Sequence, residues 1–280
     1  DWIFEEGAAV HLNSGYVGFI GSASSKIEVK SNDCWFNHLG TEKEDGFSIH
    51  NENTSVYPLR INGDLYIFAN GLFTNYSMNS VIIKGDELWC GPGGRYHFPS
   101  GTCIFDGGVA TIISDDASYF NNLTISSTGN IQLMDPIEVR GDLLIESGVL
   151  DCNSETIVVK GDWTNTVGVS AFWQESGIVY FYGTAIQYCS GEQFNVLNLN
   201  KSGGELRFLT GTTECNSYNW TDGAIRVNGG TFIAADLADV VDLGAHRFAQ
   251  RLVELQVDRI FDQQGDHRME YYQWGCRLVA

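Results

Sequence analysis

Ile137-Glu-Val-Arg-Gly-Asp-Leu-Leu-Ile-Glu-Ser-Gly-Val-Leu150, with Ile157-Val-Val-Lys-Gly-Asp162 shortly after it, decides the fold. Apolar residues alternate in short runs, and each run stops at Gly-Asp or Ser-Gly, the pattern of half-buried strands joined by tight corners. The same order returns upstream as Leu59-Arg-Ile-Asn-Gly-Asp-Leu-Tyr-Ile67 and Val81-Ile-Ile-Lys-Gly-Asp86. One Gly-Asp pair follows another by 22 residues from Gly63 to Gly85 and by 20 from Gly141 to Gly161.

Two further motifs recur. Gly15-Tyr-Val-Gly-Phe-Ile20 is echoed by Gly108-Val-Ala-Thr-Ile-Ile113 and Gly177-Ile-Val-Tyr-Phe-Tyr182, and Phe36-Asn-His-Leu39 by Phe120-Asn-Asn-Leu123 and Phe194-Asn-Val-Leu197. A motif order that returns marks a repeat architecture, and short strands stacked turn on turn explain it where a sandwich or barrel does not. The expected fold is all-β, a parallel β-helix, right-handed by the crossover rule. It spans 1–240, with superrepeats at about 15–90, 107–170 and 177–238, each of three to four turns. In the tail, 241–280, the strand pattern stops and five of the ten arginines gather. Phe248, Leu252 and Leu255 fall at helical spacing, so a helix over about 245–261 is expected, as a cap on the last turn or as a stretch whose sequence is not native to the array.

The formal charge of -19 excludes nucleic-acid backbones and anionic membranes as partners, because both need a cationic face. No apolar run is long enough to span a bilayer, so no membrane insertion is expected. The start, Asp1-Trp-Ile-Phe-Glu-Glu6, has neither an initiator Met nor a secretion signal, from which a fragment or processed chain is expected. Seven cysteines without zinc spacing read as buried thiols, with Cys90–Cys103 the best candidate for a disulfide.

Chemistry-bearing residues are sparse. Asp115-Asp116, the adjacent acid pair of the repeat body, is the only candidate for catalysis, and the Asn-Thr-Asp, Gly-His-Gly and Arg-Ile-Lys motifs that accompany such a pair in polygalacturonases do not occur. If acids from several turns converge, Asp106, Asp115, Asp116, Asp135 and Glu138 are the ones to meet beside an arginine. No cofactor is expected. Calcium is the one ion that Asp64, Asp86, Asp142 and Asp162 could hold as a corner ladder, although glycine at φ > 0 and an aspartate capping its own turn explain those pairs without a metal. Half of Tyr16, Trp35, Trp89, Trp163, Trp173, Tyr180, Tyr182 and Trp220 alternate with Val or Ile at strand spacing, so core or shielding is the expected use of these aromatics and sugar stacking the alternative. Trp163, Trp173, Tyr180 and Tyr182 stand first as ligand-binding candidates. Asn53, Asn75, Asn122 and Asn219 head glycosylation sequons.

The strings Phe120-Asn-Asn-Leu-Thr-Ile, Ile137-Glu-Val-Arg-Gly-Asp-Leu-Leu-Ile-Glu-Ser-Gly-Val-Leu and Ile157-Val-Val-Lys-Gly-Asp-Trp-Thr-Asn resemble the repeats of large secreted β-helix proteins of Bacteroidota. The likeness covers roughly 15–238. It implies export by the type IX secretion route and a cell-surface, adhesin-like role, though the sorting domain typical of such proteins is not visible in this sequence. The expected function is therefore an extracellular, non-catalytic module for adhesion or surface architecture that binds glycans or other surface components and associates end to end. A polysaccharide lyase or glycoside hydrolase on the same scaffold is the competing expectation.

Overall fold

The computed structural model describes residues 1–43, 48–52, 56–115, 117–236 and 253–255. It is a parallel β-solenoid with three faces, and the chain visits them in the same order on every turn. Face I carries Trp2–Phe4, Ser25–Val29, Ser48–Asn51, Leu72–Asn75, Arg95–His97, Ile137–Val139, Thr156–Val159 and Ile178–Tyr182. Face II carries Ala9–His11, Asp33–Trp35, Leu59–Ile61, Val81–Ile83, Thr102–Phe105, Trp163–Asn165 and Gln187–Cys189. Face III carries Tyr16–Gly21, His38–Lys43, Leu65–Ile67, Glu87–Cys90, Ala110–Ile113 and Phe172–Trp173. Long strands such as Asn122–Leu133, Gln193–Phe208 and Thr212–Val227 bend through corners and belong to more than one face.

Alternation places one side chain in two inside the coil, and parallel register stacks these into columns. One column on face II runs Leu59, Val81, Cys103, Leu123, Leu143, Trp163, Cys189 and Phe208, every member buried. Each large apolar member contributes about 2 kcal/mol by leaving water. The neighbouring column, Ile61, Ile83, Phe105, Ile125 and Ile145, ends on Asn165. On face I, the Asn51 amide donates to Asn75 Oδ1 at 2.7 Å, and Asn75 Nδ2 donates to Ser100 O at 3.0 Å. Asn75 is therefore spent inside the coil, which removes it as a glycan acceptor; Asn53 lies outside the described residues.

The corners are built differently from the expectation. None of Gly63, Gly85, Gly141 and Gly161 has positive φ. Glycine is required instead because the corners stack on one another: a Cβ on Gly85 would overlap the Gly63 carbonyl, and one on Gly161 the Gly141 carbonyl. Nor does each aspartate cap its own turn. Asn122 Oδ1 accepts the Asp142 N–H at 2.9 Å, Asp142 Oδ1 the Asp162 N–H at 2.8 Å, and Asp162 Oδ1 the Tyr188 N–H at 2.8 Å. Asp64 Oδ1 takes the N–H groups of Asp86 and Glu87 in the same way, so the acids tie each turn to the next.

Gly15 and Gly108 lead into face III, and Gly177 leads into face I. Two other expectations change. Cys90 and Cys103 are free thiols on faces III and II, separated by the whole of the face I strand Arg95–His97, and burial pushes Cys90 up to about 12. Inside the span read as a helix, Val253–Leu255 is a strand paired antiparallel with Thr231–Asp236. The open edge of the last turn supplies hydrogen-bond partners that outweigh a helical apolar spacing. The rest of 245–261, and Cys276, lie outside the described residues.

Candidate functional site

Each described acid nominated for catalysis has a local partner, and Asp115 and Asp135 lie at the same corner. Asp106, at the corner leaving face II, pairs with Lys84 at 3.0 Å. Asp115 caps the corner leaving face III, its Oδ1 accepting the Ala117 N–H at 3.2 Å, and Asp135 Oδ2 accepts the Ser114 N–H at 3.2 Å. Glu138 stands on face I between Arg140 at 3.2 Å and Lys160 at 2.5 Å. Burial alone would raise its carboxyl, but the hydrogen bonds from Lys160 and Arg140 hold it below the usual range. Asp116 lies outside the described residues. Among the described residues no three acids, histidines or cysteines gather as metal ligands.

A nucleophile-type arrangement that the sequence reading did not anticipate occurs on face I. The Ser48 hydroxyl is hydrogen-bonded to His50 Nε2, and His50 Nδ1 lies 3.5 Å from Glu52 Oε1. Ser48 is only 5% exposed, its N–H points to Ser24 Oγ, and its strand is paired on both sides.

The four aromatic candidates separate by phase. Trp163 occupies the inward position of Leu143 and is fully buried, with its Nε1 donating to Glu192 Oε2 at 3.2 Å; it is a core residue and cannot stack on a ligand. Trp173 is 49% exposed on face III, apart from the other three. Tyr180 and Tyr182 point outward on face I, two residues apart on one strand, and line an open groove of about 330 Å³ with Glu138, Val158, Lys160 and Asn200. Register builds this groove: Tyr180 lies beside Val158 on the turn before and Asn198 on the turn after, and Tyr182 beside Asn200. Lys160 Nζ is 5.5 Å from the Tyr182 ring centre. The column continues across the face, with Arg140 3.3 Å over Tyr119 and His97 stacked on Tyr119 at 4.8 Å.

A second groove, of about 320 Å³, lies on the outer side of face III between Tyr16, Tyr66, Phe68, Glu87 and Trp89. Tyr16 and Trp89 are among the aromatics noted in the sequence, whereas Tyr66 and Phe68 are not. Their signal is the alternation Leu65-Tyr-Ile-Phe68, whose Leu65 and Ile67 point inward. Tyr16 Oη donates to Glu42 Oε1 at 3.2 Å and Tyr66 Oη to Asp64 Oδ2 at 2.8 Å. Burial, then the Asp64 hydrogen bond, pushes the Tyr66 hydroxyl up to about 12; burial and Glu42 raise Tyr16, and burial with Asp64 nearby raises the Glu87 carboxyl.

Both grooves are open troughs on the outer side of sheet faces. No family model, curated protein or solved structure matches the chain.

Proposed function

We propose that the chain is an extracellular, non-catalytic solenoid module for adhesion or surface architecture, which holds glycans on the outer column of face I. The observation that carries this reading is the pair Tyr180 and Tyr182, presented side by side on a stiff sheet with Asn200 and Lys160 within the same groove. An exposed ring, Tyr182, and a half-buried one, Tyr180, offer apolar surface to a sugar, while the amide and ammonium offer hydrogen bonds to its hydroxyls. The repeat style shared with secreted Bacteroidota proteins supports an extracellular setting. Hydrolysis or lyase chemistry is the weaker reading, because Asp106, Asp115, Asp135 and Glu138 each serve a turn or an ion pair.

Retention on immobilised neutral and acidic polysaccharides tests the assignment. Tyr180→Ala/Tyr182→Ala is expected to weaken retention about tenfold or more, since each ring contributes on the order of 1 kcal/mol, with an unchanged melting temperature because both side chains lie outside the core. Unaltered retention in the double variant would remove face I from the account.

A further inference from the structure

The face III groove is a different kind of site from the face I column. Its rings are set at steep angles to one another, with Tyr16 lying across the sheet and Tyr66, Phe68 and Trp89 beside it. Tyr16 meets Phe68 at 89°, Tyr66 meets Trp89 at 64° and Phe68 meets Trp89 at 67°, with centres 5.5–6.4 Å apart. A pyranose needs a flat ring to lie on, whereas rings turned toward a common space surround a compact, rounded group. Glycine makes room for the rings, the Tyr16 ring lying over Gly18 and Gly40. On the outer side of the sheet, Gly18 pairs with Gly40 and Gly40 with Tyr66. A Cβ on Gly18 or Gly40 would strike the Tyr16 ring, and one on Gly91 would come within 2.7 Å of Trp89.

The electrostatics are one-sided. Glu42 and Asp64 accept the two tyrosine hydroxyls, which orients the rings and commits their only donors, and Glu87 completes the lining. No lysine or arginine lines the groove. Lys43, on the adjacent strand, turns its ammonium inward to Ile20 O at 3.1 Å, Ala23 O at 2.6 Å and Ser25 Oγ at 2.8 Å. A bare metal ion would find too few oxygen ligands among four aromatic rings. A cation that carries its own apolar surface meets both features at once, since the ring faces attract charge and the carboxylates neutralise it.

We propose that Tyr16, Tyr66, Phe68 and Trp89, ringed by Glu42, Asp64 and Glu87, form an aromatic cage for a methylated ammonium group, of the kind carried by choline or trimethyllysine. The site is independent of the face I column, so either can fail without the other.

Calorimetric titration of the whole chain with choline, and with its neutral isostere 3,3-dimethylbutan-1-ol, tests the cage. Choline is expected to bind at least about tenfold more tightly than the isostere, and to bind less tightly as salt is raised. Trp89→Ala is expected to weaken choline about tenfold, with Trp89→Phe intermediate and Glu87→Gln weaker by a few-fold, the melting temperature serving as the check that each variant folds. Equal binding of choline and the isostere would reduce the groove to an apolar cleft. Choline binding indifferent to both Trp89 variants, absence of choline binding, or Trp89-dependent binding of a neutral oligosaccharide in its place would each overturn the assignment.

Discussion

Replacing Trp163 with alanine is expected to lower the stability of the fold by about 4 kcal/mol, the range found for large aromatic truncations in packed cores. The indole packs edge-on against Phe172 at 4.9 Å and Phe194 at 5.3 Å, and tilts toward Phe181 at 6.4 Å. Alanine would open a cavity between three rings and leave Glu192 without its indole donor. Trp163→Phe keeps most of the packing and loses the N–H, so a cost of about 1–2 kcal/mol is expected for it. Urea unfolding of the two variants measures both effects. A loss below about 1 kcal/mol for alanine would mean that the ring is not in the column of Leu143 and Cys189, and would return Trp163 to the surface candidates.

Glu192 carries the second large effect. It sits where the face III ladder is interrupted: among the described residues no pairing joins Phe172–Trp173 to the strand beginning at Gln193. Its carboxylate turns to the face II strand, accepting from Trp163 Nε1 at 3.2 Å and Asn165 Nδ2 at 2.8 Å, and it also accepts the Gln193 N–H at 3.0 Å. Burial pushes its pKa from 4.5 up to about 7, although hydrogen bonds from Asn165, the Gln193 amide and Trp163 pull in the other direction. A carboxyl that binds its proton more tightly in the folded state stabilises fully below its unfolded value, and that stability is lost as pH rises from about 4.5 through 7. The loss is about 3 kcal/mol. Glu138 and Glu205, held low by their cationic neighbours, act with the opposite sign and lose their contribution as pH falls. Comparison with Glu192→Gln isolates the titration: the amide carries a fixed cost because its NH2 cannot accept from the N–H groups that both carboxylate oxygens now accept, and between pH 4 and pH 8 the native chain is expected to lose about 3 kcal/mol relative to the variant. A difference that stays flat between those pH values would show that Glu192 titrates as an ordinary carboxyl.

Much of this was legible in the sequence, and the failures have physical causes. Alternation around Leu143 and Ile145 gives the strands, and the recurring Gly-Asp gives the corners. Aligning Gly141-Asp-Leu143 on Gly161-Asp-Trp163 already puts Trp163 in an inward position, so its burial is readable from the repeat. The reason for each corner glycine is not readable, because the backbone that forbids a Cβ belongs to the turn below. The cage is hidden for the same kind of reason. Tyr16, Tyr66 and Trp89 meet only through a cross-turn register in which Leu39 to Leu65 takes 26 residues and Ile112 to Leu133 takes 21. The strand at Val253–Leu255 answers to an open sheet edge, a partner that local periodicity does not represent.

On the function proposed above, the solenoid holds ligands on its outer faces and does not cleave them. The most direct test is incubation with neutral and acidic polysaccharides, with and without calcium, following retention on the polymer together with new reducing ends or unsaturated products. Retention without turnover, unchanged by removal of calcium, is the predicted result. Products formed in proportion to the amount of the chain, and lost on replacing Asp115 or Glu138, would contradict it.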